Sequence, residues 1–269
     1  MEAEIDCKLQ SNSSSAASNW RNALVKRILN QNSQAFVLFI TLFLSSCGQA
    51  SDRKLLGEII KLADNGNSAA QYNAGMMFNN GIGTKKDPRK AFEWFQKASD
   101  AGDALGSYKV GCYFGGQFKD VVPTDVTKEL HYKLIAATAG YSLAQYDLGI
   151  IYRKRDQFKE GIHWWELAAH QGYPMALYNL SVIYNDGKVW PKDKVLSYAY
   201  FKLAKLRAEG RVNPNAQKAL DEVKSTMSSA EVEKAEQIVS SWEVKPTAIT
   251  LRASEGIAEA KKLVNSGAR

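Results

Sequence analysis

The chain has 269 residues, 45% of them hydrophobic, and a formal net charge of +7 at pH 7. This hydrophobic content and six tryptophans can fill a sizeable core, whereas three cysteines are too few for a disulfide-built fold. Basic residues form short groups, such as those at 153–155 and 261–262, and not the stripe that nucleic acid requires, so we expect no nucleic-acid partner.

A ten-residue, largely apolar run at 35–44 is the first pattern along the chain. Basic residues Arg21, Lys26 and Arg27 precede it, and small residues follow. A run of this length is too short to cross a bilayer as a helix. The order of charged, apolar and small residues is typical of a secretory signal, and a buried hydrophobic helix is the alternative.

The end of this run, Leu44-Ser45-Ser46-Cys47, resembles a bacterial lipobox. The resemblance implies cleavage before Cys47 and a diacylglycerol on its sulfur. It also implies sorting to the periplasmic face of the outer membrane, because Gly48 rather than an aspartate follows. Residues 1–46 would then be an N-terminal extension with the signal peptide, and residues 47–62 the anchor, a linker and the start of a leading helix.

The stretch before the apolar run is long for a signal, and residues 11–19 within it are polar. We therefore expect translation to begin near Val25. Processing would remove Cys7 and modify Cys47, which leaves Cys112 as a free, buried thiol and excludes an intramolecular disulfide.

Residues 63–205 carry an internal repeat with two markers that advance together. The opening tyrosines are Tyr72, Tyr108, Tyr146 and Tyr178, and the closing glycines are Gly66, Gly102, Gly140 and Gly172. Steps of 36, 38 and 32 residues predict stacked helix pairs, each of which needs a neighbour to cover its apolar face.

We name the two helices expected in each repeat the A helix, which carries the tyrosine, and the B helix. Three and six residues after each tyrosine come a small residue and an aromatic one, which share a face of the A helix. These residues are Gly75, Gly111, Gly149 and Ser181, then Phe78, Phe114, Tyr152 and Tyr184. Each B helix has an aromatic residue four positions before an alanine, at Trp94, Tyr132, Trp164 and Tyr200. We interpret these aromatics as core, packed where the small residues allow close approach.

The turn of the first repeat contains Gly81 and Gly83, and Asp87 before Pro88 predicts the cap and first position of the B helix. With Ala-x-Tyr-x-x-Gly-x-x-Phe before this turn and Lys-Ala-x-x-Trp after it, the segment resembles a Sel1-like repeat, a relative of the tetratricopeptide repeats. The resemblance implies an all-α fold, a right-handed α-solenoid of stacked antiparallel helix pairs.

Two repeats depart from this pattern. The second has an insertion at 116–124, and the third lacks the Gly-x-Gly turn and reads Arg-Lys-Arg-Asp-Gln-Phe at 153–158. Curvature is expected to be irregular there.

Capping segments are predicted on both sides of the repeats. Amphipathic helical patterns follow the last repeat at 215–227 and 229–242. We expect residues 206–243 to cap that end, and residues 55–63 to cap the other. The tail at 244–269 is expected to form a short helix over 254–265 or to remain mobile.

No catalytic or metal-binding pattern accompanies the repeats. The histidines are His131, His163 and His170, and none has a His or Cys at metal-ligand spacing. No Gly-x-Ser-x-Gly elbow occurs in the sequence, and no Ser-x-x-Lys stands in the setting that a hydrolase nucleophile needs. We therefore expect no metal, no cofactor and no enzymatic activity, with a cell-wall or β-lactam hydrolase as a remote alternative.

By the resemblance to tetratricopeptide repeats, the A helices line a concave groove that binds a protein or peptide. We expect Asn73, Asp147 and Asn179 to be the best contact residues, whereas the tyrosines beside them could equally pack between repeats. The predicted groove comprises Tyr72, Asn73, Met76, Tyr108, Lys109, Tyr146, Asp147, Arg153, Tyr178, Asn179 and Asn185.

These features predict a lipid-anchored, non-enzymatic interaction scaffold of the bacterial periplasm, which touches the membrane only through its anchor. An immunity protein that neutralises a secreted effector such as a phospholipase is the alternative. An adaptor of protein degradation in the eukaryotic secretory pathway is disfavoured by the lipobox and the short chain. The sequence leaves the partner's identity and the oligomeric state open.

Overall fold

The computed structural model describes residues 34–208 and 214–267. Every regular element of these residues is helical, and no strand occurs among them. They form two compact units, the first with the residues up to 132 and from 252, the second with residues 133–251. The predicted all-α fold of helix pairs is confirmed.

The helices follow the repeats in order. They are α1 (Gln34–Asp64), α2 (Ser68–Asn80), α3 (Pro88–Asp100), α4 (Ala104–Cys112), α5 (Val126–Thr138), α6 (Ser142–Arg153), α7 (Phe158–His170), α8 (Pro174–Asp186), α9 (Lys194–Arg207), α10 (Pro214–Ser225), α11 (Ser229–Ser241), α12 (Ala248–Glu255) and α13 (Ile257–Gly267). The A helices of the four repeats are α2, α4, α6 and α8, and the B helices are α3, α5, α7 and α9.

Local capping sets where the helices of the first repeat begin. The Asn67 side chain accepts a hydrogen bond from the Ala70 N–H at 2.8 Å, which starts α2. Pro88 occupies the first position of α3, and the Asp87 carboxylate accepts from the Lys90 N–H at 3.0 Å. The predicted cap of this B helix is therefore confirmed.

Glycines on the A helices let the B helices approach closely, as the sequence predicts. A Cβ added at Gly75 would lie 2.5 Å from Cδ1 of Phe95, and one added at Gly149 would lie 2.2 Å from Cδ1 of Trp165. Real Cβ atoms do not approach carbon this closely, so both contacts exist only because the residue is glycine.

The aromatic residues at these contacts differ by one position from those predicted. Phe95 and Trp165 are fully buried, whereas Trp94 and Trp164 are only half-buried. One residue along a helix turns the side chain by about 100°, so only one of two adjacent aromatics can face the glycine. The interpretation of Trp94 and Trp164 as core is therefore wrong in register, and the Lys97 ammonium lies 4.1 Å from the Trp94 ring centroid.

The second repeat contains a break at the predicted insertion. α4 continues into a π-helical turn, Tyr113–Gln117, in which Gly116 has a φ of 98°. The Asp125 N–H donates to the Phe114 carbonyl at 2.9 Å, which closes the inserted loop. The Phe114 ring stacks on Tyr132 of α5, with centroids 5.8 Å apart.

The two helices predicted after the last repeat are present as α10 and α11, and both pack on α9. Their contact is an apolar cluster that includes Tyr198, Phe201, Leu220, Val223 and Ala235. The Ser228 hydroxyl accepts from the Glu231 N–H, and the Glu231 carboxylate accepts from the Ser228 N–H, which forms a capping box at the start of α11.

The tail is more ordered than a single short helix. It forms α12 and α13, separated at Gly256, whose φ of 55° is unfavourable for other residues. The predicted helix over 254–265 is therefore wrong in its start and in its continuity. α13 packs on α1 and α2.

The N-terminal predictions are covered only in part. The extension, the basic residues and Cys7 lie outside the described residues, as do the side chains of the apolar run and of Cys47. Residues 47–62 are helical throughout as part of α1, so no non-helical linker separates Cys47 from the leading helix. Within the described part of the chain, no helix has both the length and the apolar character needed to cross a membrane.

Cys112 is disulfide-bonded in the structure of this chain. Its interpretation as a free thiol, which assumed processing at Cys47, is therefore wrong for the unprocessed protein.

Candidate partner-binding surfaces

In the first unit, most of the predicted groove residues are buried. Tyr72, Asn73, Tyr108 and Lys109 are buried, and Met76 is half-buried. The tail helices cover the first two of these residues, because their side chains contact residues of α12 and α13. The surface predicted to bind a partner is thus occupied by the chain itself.

The contact centres on a group of side chains that we call the Arg252 cluster: Tyr72, Asn73, Asp103, Arg252 and Glu259. Arg252 donates from Nη2 to Asp103 Oδ2 and from Nε to Glu259 Oε1, both at 2.5 Å. Its guanidinium carbon lies 5.4 Å from the Tyr72 ring centroid. Asn73 donates from Nδ2 to Glu259 Oε2 at 3.0 Å and to the Ala69 carbonyl at 2.8 Å. Two carboxylates, one guanidinium, one amide and one ring therefore pair in a single network.

Asp103 has a double role that follows from its position before α4. Its Oδ1 accepts from the N–H groups of Leu105 and Gly106, at 2.9 and 3.1 Å, and so caps the helix. Its Oδ2 remains available for Arg252. A helix N-terminus favours a carboxylate, so the cap also holds a negative charge where the guanidinium binds.

The electrostatics of the Arg252 cluster fix its charge state. Burial raises the pKa of Tyr72 well above its usual value, the carboxylates of Glu259 and Asp103 raise it further, and Arg252 opposes them. Burial lowers the pKa of Arg252, but the hydrogen bonds and charges of Asp103 and Glu259 outweigh burial and raise it overall. The tyrosine stays neutral and the guanidinium stays charged across the physiological range.

In the second unit, two predicted groove residues are internal. Asp147 forms an ion pair with Lys133, with Oδ2 and Nζ 2.8 Å apart and side chains 0% and 3% exposed. The Tyr146 ring is buried 4.9 Å from the Tyr173 ring. The sequence predicts that Asp147 contacts the partner, but its carboxylate faces Lys133 of α5.

The other predicted residues of the second unit remain accessible. Arg153 is exposed, and Tyr178, Asn179 and Asn185 are half-buried. Sequence reasoning missed two exposed apolar neighbours of Asn179 on α8. Met175 is 38% exposed and Val182 is 40% exposed. They stand four residues before and three after Asn179, a helical spacing from which they could have been found.

Within the second unit, the start of the tail forms a network around Gln171, which no local pattern indicates. Gln171 donates from Nε2 to the Gly140 carbonyl at 2.7 Å and accepts at Oε1 from the Thr250 hydroxyl at 2.7 Å. The Thr247 N–H donates to the same oxygen at 3.1 Å. Trp242 precedes this segment and stacks on His170, with centroids 4.9 Å apart.

Among the described residues, no three His, Cys, Asp or Glu side chains come together in a group that could hold a metal ion. His131 and His163 are exposed on B helices, and His170 packs against Trp242.

The Sel1 repeat family model matches residues 68–103, 142–173, 174–208 and 197–221. The matched segments are Sel1 repeats. The matches omit residues 104–141, which form the second repeat with its insertion and π-helical turn. Proteins built from Sel1 repeats are generally non-catalytic and bind protein partners.

The chain is also similar to a curated protein over part of its length and to solved structures. A sel1-like repeat-containing protein of Acanthamoeba polyphaga mimivirus is 35% identical over 91 residues, which are 33% of this chain and 16% of that protein. A Sel1 repeat protein from Oxalobacter formigenes is 22% identical, with a TM-score of 0.58 over 79% of this chain and 80% of that one, which shows the fold. A protective antigen of uropathogenic Escherichia coli with an SLR fold is 21% identical, with a TM-score of 0.45 over 76% of this chain and 50% of that one.

Proposed function

We propose that this Sel1 repeat protein is a non-enzymatic interaction module whose partner docks on the exposed face of α8. The observation that carries the proposal is the row of Met175, Asn179 and Val182 on that A helix. Burial of two apolar side chains would supply binding free energy, and the amide between them can pair with a peptide backbone. Arg153 of α6 adds an exposed positive charge in the same unit.

Site-specific photo-crosslinking tests this docking face. A photo-reactive amino acid at Val182 is expected to crosslink a partner in envelope fractions, whereas the same group at His163, exposed on the B helix α7, is not. Asn179→Ala should raise about tenfold the partner concentration needed for half-maximal crosslinking at Val182, which corresponds to a loss of roughly 1.4 kcal/mol of binding free energy.

Equal crosslinking at Val182 and His163 would contradict the α8 surface. Circular dichroism of the Asn179→Ala protein controls for misfolding. One partner captured with nanomolar affinity would favour the immunity reading, and several weaker partners would favour a scaffold.

We further propose that the mature protein is lipid-anchored through Cys47 on the periplasmic face of the outer membrane. The support is the apolar run followed by the lipobox-like segment at 44–47. Cleavage before Cys47 keeps Leu55, Leu56 and Ile59, the buried residues through which α1 contributes to the core. Lipidation and the Cys112 disulfide exclude one another, because the other two cysteines are Cys7 and Cys47 and processing would remove the first and alkylate the second.

Thiol counting therefore distinguishes the two forms. When the processed lipoprotein is denatured, each molecule should bind one maleimide, at Cys112, both before and after reduction. In the unprocessed chain, reduction should raise the number of maleimides from one to three, because one disulfide opens. An increase on reduction in the membrane-bound protein would overturn the lipid anchor.

A further inference from the structure

The tail of this protein occupies a surface on its own repeats. We infer that residues 252–267 are a displaceable intramolecular ligand of the first unit, and that a partner presenting a paired arginine and glutamate binds in their place. The inference rests on the proposed function as a protein-binding module, but it concerns a different surface from the α8 face.

The receptor side of this contact is complementary to one cation and one anion. The Asp103 carboxylate and the Tyr72 ring receive the guanidinium of Arg252, and the Asn73 amide donates to the carboxylate of Glu259. Asp103 and Asn73 are almost fully buried beneath the tail. The receptor groups come from the A helix of the first repeat and the cap of the next A helix, which is where repeats of this type were predicted to bind a peptide.

The ligand side is attached by little apolar surface. Within α12 and α13, the described side chains that are buried belong only to Glu259 and Ala260. The apolar residues Ile257, Leu263 and Val264 are half-buried. By contrast, α1 buries Leu55, Leu56 and Ile59 in the same unit. A segment held mainly by polar contacts opens at lower free energy than the core and can exchange with a competitor.

Displacement would leave no buried charge without a partner. Arg252 is 28% exposed even in the closed state, so its contact with Asp103 is partly solvated. When the tail leaves, water can replace Arg252 at Asp103 and Glu259 at Asn73. A competing arginine and glutamate would restore the same hydrogen bonds.

A labelled peptide of residues 248–267 tests the inference with the full-length protein. Wild type should bind the peptide weakly, because its own tail competes at high effective concentration. The double variant Arg252→Ala with Glu259→Ala should bind it at least tenfold more tightly in fluorescence anisotropy. Lys262→Ala is the matched control, because Lys262 pairs with the carboxylate of Glu255 on the same tail, and it should bind like wild type.

Two results would overturn the inference: a peptide that fails to bind the double variant, or one that binds wild type and double variant equally. Hydrogen exchange on the wild-type chain gives a second readout that does not depend on any variant. Amides of α13 should exchange faster than those of α2, and added salt should accelerate only the former. Exchange of α13 at the rate of α2 would show a fixed structural element and also overturn the inference.

These outcomes are separable from those of the α8 experiment. Peptide exchange without Val182 crosslinking would support the displaceable tail and contradict docking on the α8 face. Val182 crosslinking without peptide exchange would support the protein-binding function and show that residues 252–267 are a fixed structural cap.

Discussion

Asp147→Ala is expected to lower the free energy of unfolding by about 3–5 kcal/mol, the usual cost of removing one partner of a buried ion pair. The Lys133 ammonium would remain buried at 3% exposure without the carboxylate that now lies 2.8 Å away. Urea denaturation followed by circular dichroism measures the loss as a lower midpoint with an unchanged slope.

The double variant Lys133→Met with Asp147→Leu is the control. It replaces the pair with apolar groups and should recover most of the loss, because neither charge remains buried. A loss below about 1 kcal/mol for Asp147→Ala would indicate that the pair is solvated. Since Asp147 faces Lys133 and not the surface, we expect the folded fraction of Asp147→Ala to retain the Val182 crosslink.

Gly149→Ala is expected to destabilise the protein by about 1–3 kcal/mol, the range for adding a methyl group to a packed core. The added Cβ would lie 2.2 Å from Cδ1 and from Nε1 of Trp165. The Trp165 ring is buried and donates from Nε1 to the Tyr146 carbonyl at 3.1 Å, so it cannot move without breaking that hydrogen bond. Thermal unfolding with tryptophan fluorescence reports both the stability and the displacement of the ring.

Gly57→Ala provides a matched helical control. Gly57 is exposed within α1, and an added Cβ there would meet nothing within 4 Å. Alanine is the better helix former, so this change should stabilise the protein by up to about 1 kcal/mol. If both glycine variants shifted stability in the same direction, close packing at Gly149 would not be the cause.

The repeat architecture was predictable because its signals are local and occur several times. The closing glycines, the Asp87–Pro88 cap and the small residue three after each tyrosine each act within one or two helical turns. The register of the buried aromatics was less accessible, because Trp164 and Trp165 are adjacent and composition alone does not show which of them faces Gly149.

The partner-binding residues were harder to predict for a different reason. Asn73 and Asp147 follow tyrosines on A helices and look available in the sequence, but each has an internal partner. Glu259 lies 186 residues from Asn73, and no pattern in the sequence connects them. A polar residue with a distant internal partner has the same local signature as one that awaits a ligand.

The Arg252 cluster also has a consequence for biosynthesis. Residues of the first unit come from both ends of the chain, and Arg252 and Glu259 are translated long after Tyr72, Asn73 and Asp103. Synthesis adds roughly 5–20 residues per second, and the N-terminal part of a chain generally folds first. The receptor side of the Arg252 cluster is therefore uncovered for roughly 7–30 s before its own tail exists. A partner already present where the exported chain emerges and folds would meet this surface without having to compete for it.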